Sequence, residues 1–298
     1  MVKNYLLISF LIISALLGAT KAYLDYRLPI ELNKTLEKTA LPISYAETYL
    51  TLLGAIKINN VQFNTFPLKI EALTLHQAYR FYDVNSLPTF MRLTAQKIQI
   101  PISDESSTPP PLLNILGYAT YYLNSKELRE LGYTTLQAEL DITAKQTTEN
   151  RLVISGLFTV MQVGKLTLRV ELENVPPPMK WTNTTFLALP FTQLIFNYSD
   201  NDFMKRVFSF LAQRNKMTAV QLKQTLKTKV ITDLKQSGLT FDESVLTSLQ
   251  EFIQNPETLT ISLQPPTPLS IEKLEKLLPT ILLKALGLTM DTQFTNVN

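Results

Sequence analysis

Cysteine is absent from this chain, which removes disulfides, thiolate metal sites and cysteine nucleophiles together. Histidine occurs once, at His76, at the end of an expected strand and with no nucleophile motif nearby. The expectation for His76 is a solvent-exposed strand-end residue, and with it alone a zinc site has too few ligands to draw on. Eight glycines against 17 prolines leave little material for glycine-rich phosphate loops. A net charge of +3 is too slight for a nucleic-acid binder, whose basic residues are abundant and clustered. The 25 acidic residues include no pair that the sequence places face to face, as glycoside hydrolysis requires. These absences together lead to the expectation that the protein is not an enzyme and carries no metal or other cofactor.

What is present begins at the N-terminus. Lys3 precedes a continuous apolar run over residues 5–20, closed by Lys21. A basic residue followed by such a run is the pattern read by secretion machinery. Two readings stand. In one, residues 1–24 anchor the chain in the bacterial inner membrane, with Lys21 snorkelling and Tyr23 and Tyr26 among the headgroups. In the other, the run is a signal peptide cleaved near Thr20-Lys21-Ala22, and the protein is freely periplasmic. The anchor is preferred. No second apolar run of that length follows, so the remainder is expected on the periplasmic side. The missing cysteines argue against a eukaryotic secreted domain. On that ground the Asn-x-Ser/Thr triplets at Asn33, Asn183 and Asn197 are read as chance.

Pro29 stands where a helix start tolerates it, and residues 29–40 are expected to form a short helix just outside the membrane. Three strands follow, near residues 55–63, 68–76 and 90–102. Each loses its alternation halfway. Ile56 and Ile58 give way to Val61 and Phe63; Ile70 and Ala72 to Leu73 and Leu75; Leu93 and Ala95 to Ile98 and Ile100. A strand that changes phase has inserted a residue, as a β-bulge does, and bulges bend a strand. The shifts at Asn59-Asn60, Ala72-Leu73 and Gln96-Lys97 therefore predict a curved sheet. Ile56, Ile58, Val61, Phe63, Ile98 and Ile100 are the candidate residues of an apolar groove along it.

A polar, proline-rich loop covers residues 103–112, and residues 112–131 have mixed helical character. An antiparallel meander follows, with Leu136, Ala138, Leu140, Ile142 and Ala144 on one greasy face. Its third strand sets Leu166, Leu168, Val170 and Leu172 against Lys165, Arg169 and Glu171. A last extended stretch spans residues 187–198. From Asp200 the apolar period lengthens to nearly four, giving stripes Phe203-Val207-Phe210-Leu211, Leu222-Leu226-Val230-Leu234 and Val245-Leu249-Phe252. Thr218 and Gln221 form a capping box, Asp200 or Asp202 caps the preceding helix, and Lys223, Lys227 and Lys235 lie on a solvated face. A short strand at 258–263 precedes a final helix capped by Ser270 and kinked at Pro279. The expected class is α+β: residues 25–199 a β-rich extracytoplasmic region, and residues 200–298 a mainly helical section whose stripes close one side of the sheet. Trp181 and the aromatic cluster at residues 79–84 are read as packing.

The anchor, "LPIELNKTLEK" and "LGAIKINNVQF…LKIEALTL" make the first 102 residues resemble the start of AsmA-like envelope proteins. The resemblance implies a membrane helix leading into a periplasmic groove of coiled sheet, and a role in moving or organising envelope lipids. The chain departs from that family in being short and in ending with helices. Its last hundred residues resemble the C-terminal regions of uncharacterised exported bacterial proteins, and no activity is carried over from either. The expected partners are the membrane, a lipid or other apolar ligand, and alternatively another envelope protein.

Overall fold

The computed structural model describes residues 2–39, 42–51, 53–64, 67–76, 89–102, 119–148, 150–177, 185–274 and 276–292; the side chains of residues 2–17, 35, 38, 39, 119, 148, 185 and 186 fall outside that description. Among the described residues, eleven strands form one antiparallel sheet. They are β1 (Ile43–Ser44), β2 (Glu47–Leu50), β3 (Ile56–Phe63), β4 (Lys69–His76), β5 (Phe90–Pro101) and β6 (Thr135–Thr148). Then come β7 (Arg151–Val160), β8 (Gly164–Leu172), β9 (Phe191–Asp200), β10 (Thr258–Leu263) and β11 (Leu288–Asp291). From β3 to β11 each strand pairs with its successor, while β1 and β2 pair with opposite halves of β3. Strands on both sides of the proline-rich loop therefore belong to one sheet, joined through β5 and β6. The C-terminal section adds β10 and β11 to it.

The phase changes in β3, β4 and β5 fall in a line across the sheet, at Asn60, Glu71 and Lys97. Because all three strands carry the extra residue, their mutual register runs through unbroken. The shift appears where β5 meets β6, which has no extra residue at that row, between Ala95 and Ile98. Asn60 (φ 53°) and Lys97 (φ 50°) take the left-handed backbone that such an insertion needs. The consequence corrects the sequence reading. Ile58 and Val61 do not lie on opposite faces; the inserted residue returns the alternation to the same face. Val61, Ile70, Ala95, Ile98 and Ala138 form one buried cluster, with Ile58, Phe63, Leu73 and Ile100 packed against it.

The helices are α1 (Val2–Thr39), α2 (Ser125–Glu130), α3 (Thr185–Ala188), α4 (Phe203–Arg214), α5 (Ala219–Gln236), α6 (Glu243–Gln254), α7 (Ile271–Leu274) and α8 (Pro279–Leu286). Helix α1 runs unbroken through Pro29, where a separate helix was expected to begin. Proline removes one helical hydrogen bond and crowds the carbonyl four residues back. Bonds on either side of it hold the helix: Asp25 Oδ1 accepts from the Leu50 amide at 2.8 Å, and the Tyr45 hydroxyl donates to Asn33 Oδ1 at 2.7 Å. The expected boundary at residue 24 thus falls inside a continuous helix.

The stripes on α4 and α5 bury one another together with Ile253 of α6, and of these three helices α6 is the one that packs against the sheet, at β11. Val207, Phe208, Leu211, Ala212, Leu222, Leu226 and Ile253 form one cluster, with Tyr121, Leu123 and Leu131 packed on it. Leu222 is fully buried, and such a side chain contributes about 1.5–3 kcal/mol by leaving water. The capping box at Thr218 and Gln221 is present, with reciprocal bonds of 3.2 and 2.8 Å. A second joins Asn124 and Glu127 at the start of α2. Lys223 is not merely solvated: its ammonium donates to the Gln254 carbonyl at 2.6 Å, at the end of α6, and sits over the Phe208 ring. Helix α6 is the bridge to the sheet, through Ser248 Oγ donating to the Met290 carbonyl at 2.8 Å and Phe252 edge-on to Tyr198.

Two further expectations are corrected. Pro279 does not kink one helix but separates two, occupying the first turn of α8, where its missing N–H costs nothing. Leu278, just before α8, and Ile281 within it are both exposed. The stretch from residue 187 starts as the last two residues of α3 and becomes extended only at Phe191. Gly287 (φ 59°) ends α8 where an added Cβ would meet the Gln264 carbonyl oxygen at 2.1 Å, and this close approach lets β11 join β10.

Candidate functional site

Cross-strand register sorts the sheet into rows. One row runs Ile56, Leu75, Leu93, Ile142, Gly156, Leu168, Phe196, Ile261 and Met290, from β3 to β11. The next runs Ile58, Leu73, Ala95, Leu140, Phe158, Leu166, Tyr198 and Leu259. Both are apolar in every strand, apart from the glycine and the hydroxyl of Tyr198. The row of opposite parity runs Lys57, Thr74, Thr94, Asp141, Leu157, Thr167, Asn197, Thr260 and Asp291. It is polar everywhere except Leu157. One face of the sheet is therefore continuously apolar across nine strands.

Five of the six groove candidates come together: Val61 and Ile98 in the buried cluster, with Ile58, Phe63 and Ile100 against it. Ile56 does not join them. It lines a separate apolar cavity of about 350 Å³ between α1 and the first hairpin, with Leu24, Arg27, Leu28, Glu31, Leu50 and Gly54. Sequence reasoning missed this cavity, although Leu24 and Leu28 one turn apart signal an apolar stripe continuing past Lys21. It also missed Leu168 and Phe196 as members of the long apolar row, because the register of distant strands is not written in either strand alone.

The polar face is tied by hydrogen bonds. Arg92 grips Asp141 with two bonds, 3.1 and 2.7 Å. Lys97 bonds Glu71 at 2.9 Å. Asn197 is buried, donating to Thr167 Oγ1 at 3.0 Å and accepting from Thr260 Oγ1 at 2.7 Å. Its side chain is thus enclosed in the sheet. His76 is half-buried rather than exposed, its Nε2 3.2 Å from Thr94 Oγ1. Asp202 makes no side-chain cap; Asp200 does that work, accepting from the Met204 amide at 3.1 Å and from the Tyr198 hydroxyl. Burial first, and that bond to Asp200 second, push the Tyr198 phenol far above its ordinary pKa. Among the described residues no three His, Cys, Asp or Glu side chains gather where they could hold a metal ion. Trp181, Asn183 and the aromatic cluster at residues 79–84 lie outside the described residues.

The apolar run of residues 5–20 belongs to α1, but the side chains of residues 5–17 are outside the description. Among the described residues no helix is long and apolar enough to cross a membrane.

Against known proteins, residues 157–293 match a family model described as an uncharacterized protein. That segment begins within β7 and does not overlap the first 102 residues, on which the AsmA-like resemblance rests. No curated protein matches the chain, and no solved structure matches it.

Proposed function

We propose that the protein is a non-catalytic component of the bacterial envelope, held at the inner membrane by the start of α1, that binds or organises lipid along the apolar face of its sheet. The observation that carries this reading is the apolar row from Ile56 to Met290, kept greasy across nine strands while α4 and α5 bury their stripes on each other and α6 packs at the β11 end of the sheet. Leu168, in the middle of that row, is 41% exposed. The aligned insertions at Asn60, Glu71 and Lys97 support a bent, trough-like sheet, since each adds curvature and twist. A trough with one apolar wall suits acyl chains, and the AsmA-like layout of the first 102 residues agrees with it.

The test is to extract the full-length protein from its membrane with a detergent-free polymer and compare its lipids with the bulk membrane. Enrichment of particular lipids supports the reading. A composition identical to the bulk, with the protein in complex with another envelope protein, would favour a second one. In that reading the chain is an assembly module, and the exposed Ile271, Leu278 and Ile281 near its C-terminus are the docking residues.

A further inference from the structure

The cavity between α1 and the first hairpin has features that the sheet lacks. Its walls are Leu24 and Leu28 from the helix and Leu50 and Ile56 from paired positions of β2 and β3. Its volume, about 350 Å³, lies at the small end of the roughly 300–1,000 Å³ typical of ligand pockets. Charged side chains stand at its edge: Arg27 and Glu31 line it, 3.1 Å apart, and Lys34, on the next turn of the helix, bonds the same Glu31 at 3.3 Å, two cations beside one carboxylate. The neighbouring acid, Asp25, is already engaged by Lys21 and the Leu50 amide.

The surroundings of the cavity are apolar and outward-facing. Leu53, in the turn joining β2 to β3, is 88% exposed, and Tyr23, Leu24 and Tyr26 of α1 are exposed as well. Leu24 follows Thr20, the last residue of the apolar run, by about 6 Å of helix rise. An exposed leucine, two tyrosines and basic residues one turn beyond such a run match the composition of a membrane–water interface.

We propose that this cavity takes one acyl chain of an anionic phospholipid from the leaflet next to α1, its phosphate lying at Arg27 and Lys34 and its chain passing between Leu24, Leu28, Leu50 and Ile56. The proposal rests on the reading that α1 begins in a membrane, and its site lies between α1 and the β2–β3 end of the sheet, sharing Ile56 with the apolar row. The rim cations select the head and the apolar walls hold the tail, so a zwitterionic lipid with the same chain is held less well.

Full-length protein is reconstituted in phosphatidylcholine nanodiscs with a trace of phosphatidylglycerol bearing a diazirine in its acyl chain, irradiated, and mapped by peptide mass spectrometry. Labels are expected on residues 24–31 and 50–56, about fivefold more than from the same diazirine chain on phosphatidylcholine. Arg27→Gln should abolish the difference between the two lipids. Ile56→Trp should fill the cavity and remove the label, and Leu28→Phe does so from the helix side if the tryptophan variant fails to fold. Equal labelling by both lipids, or label confined to residues 5–20, overturns the proposal. Label along the row beyond Ile56 but not in the cavity overturns it while supporting the sheet reading; label in the cavity but not along the row beyond Ile56 supports it and contradicts the sheet reading.

Discussion

The carboxylate of Asp25 accepts the amide hydrogen of Leu50 at 2.8 Å, joining the long N-terminal helix to the edge of the sheet. Strand β2 is an edge strand, and its outward N–H would otherwise be open to other strands. The bond to Lys21 first, and the Leu50 amide second, hold the Asp25 carboxyl below its ordinary pKa. A depressed carboxylate adds stability that is present above its unfolded value, roughly 3.9, and is lost as pH falls through the folded one. Asp25→Ala should therefore cost about 1–2 kcal/mol at neutral pH, at the low end for a bond to a partly exposed charge. The gap between wild type and variant in urea unfolding should close toward pH 2. A gap independent of pH would show that the carboxylate charge contributes nothing.

Asn60 is an exposed residue with φ 53° in the line of insertions. Asn60→Gly should change stability by no more than about 0.5 kcal/mol, because glycine adopts that backbone freely. Asn60→Val should cost about 1–2 kcal/mol, since a β-branched residue is disfavoured there. Equal melting temperatures for the two variants would mean that the insertion is not held in the left-handed region.

The helical cluster should behave as its own unit. Leu222→Ala should cost about 2–5 kcal/mol by opening a cavity, and Thr218→Ala about 1 kcal/mol by removing a cap. Hydrogen exchange should rise mainly in α4, α5 and α6 for both variants, with β3–β6 little changed. Equal acceleration across β3–β6 would contradict the separation of the two cores.

Much of this architecture was readable from the residues. The alternation of Leu136 to Ala144 and of Leu166 to Leu172, the capping box at Thr218 and the insertions in β3–β5 each leave a local signature, since side-chain period and cap chemistry act within a few residues. What was hidden depends on distant partners. Pro29 looked like a helix start because the bonds that carry α1 past it come from Leu50 and Tyr45, elsewhere in the chain. Strands β1, β2 and β11 are too short to show a period. The greasy stripes of α4–α6 could have faced the sheet or each other, and nothing in a stripe names its partner. The apolar row that carries the candidate site was half visible: each strand showed its own leucines and isoleucines, but only the register aligned Ile56 with Leu168 and Met290.

The most direct test compares two leucines of β7 and β8 that are equally exposed on opposite faces. Leu168 (41%) belongs to the apolar row, and Leu157 (40%) interrupts the polar one. Full-length Leu168→Glu and Leu157→Glu proteins are extracted without detergent, checked for folding by circular dichroism, and their bound lipid is quantified by mass spectrometry against wild type. If lipid lies along the apolar face, Leu168→Glu lowers retention several-fold and Leu157→Glu leaves it unchanged. Equal loss from both variants, or retention by both at the wild-type level, would contradict the account.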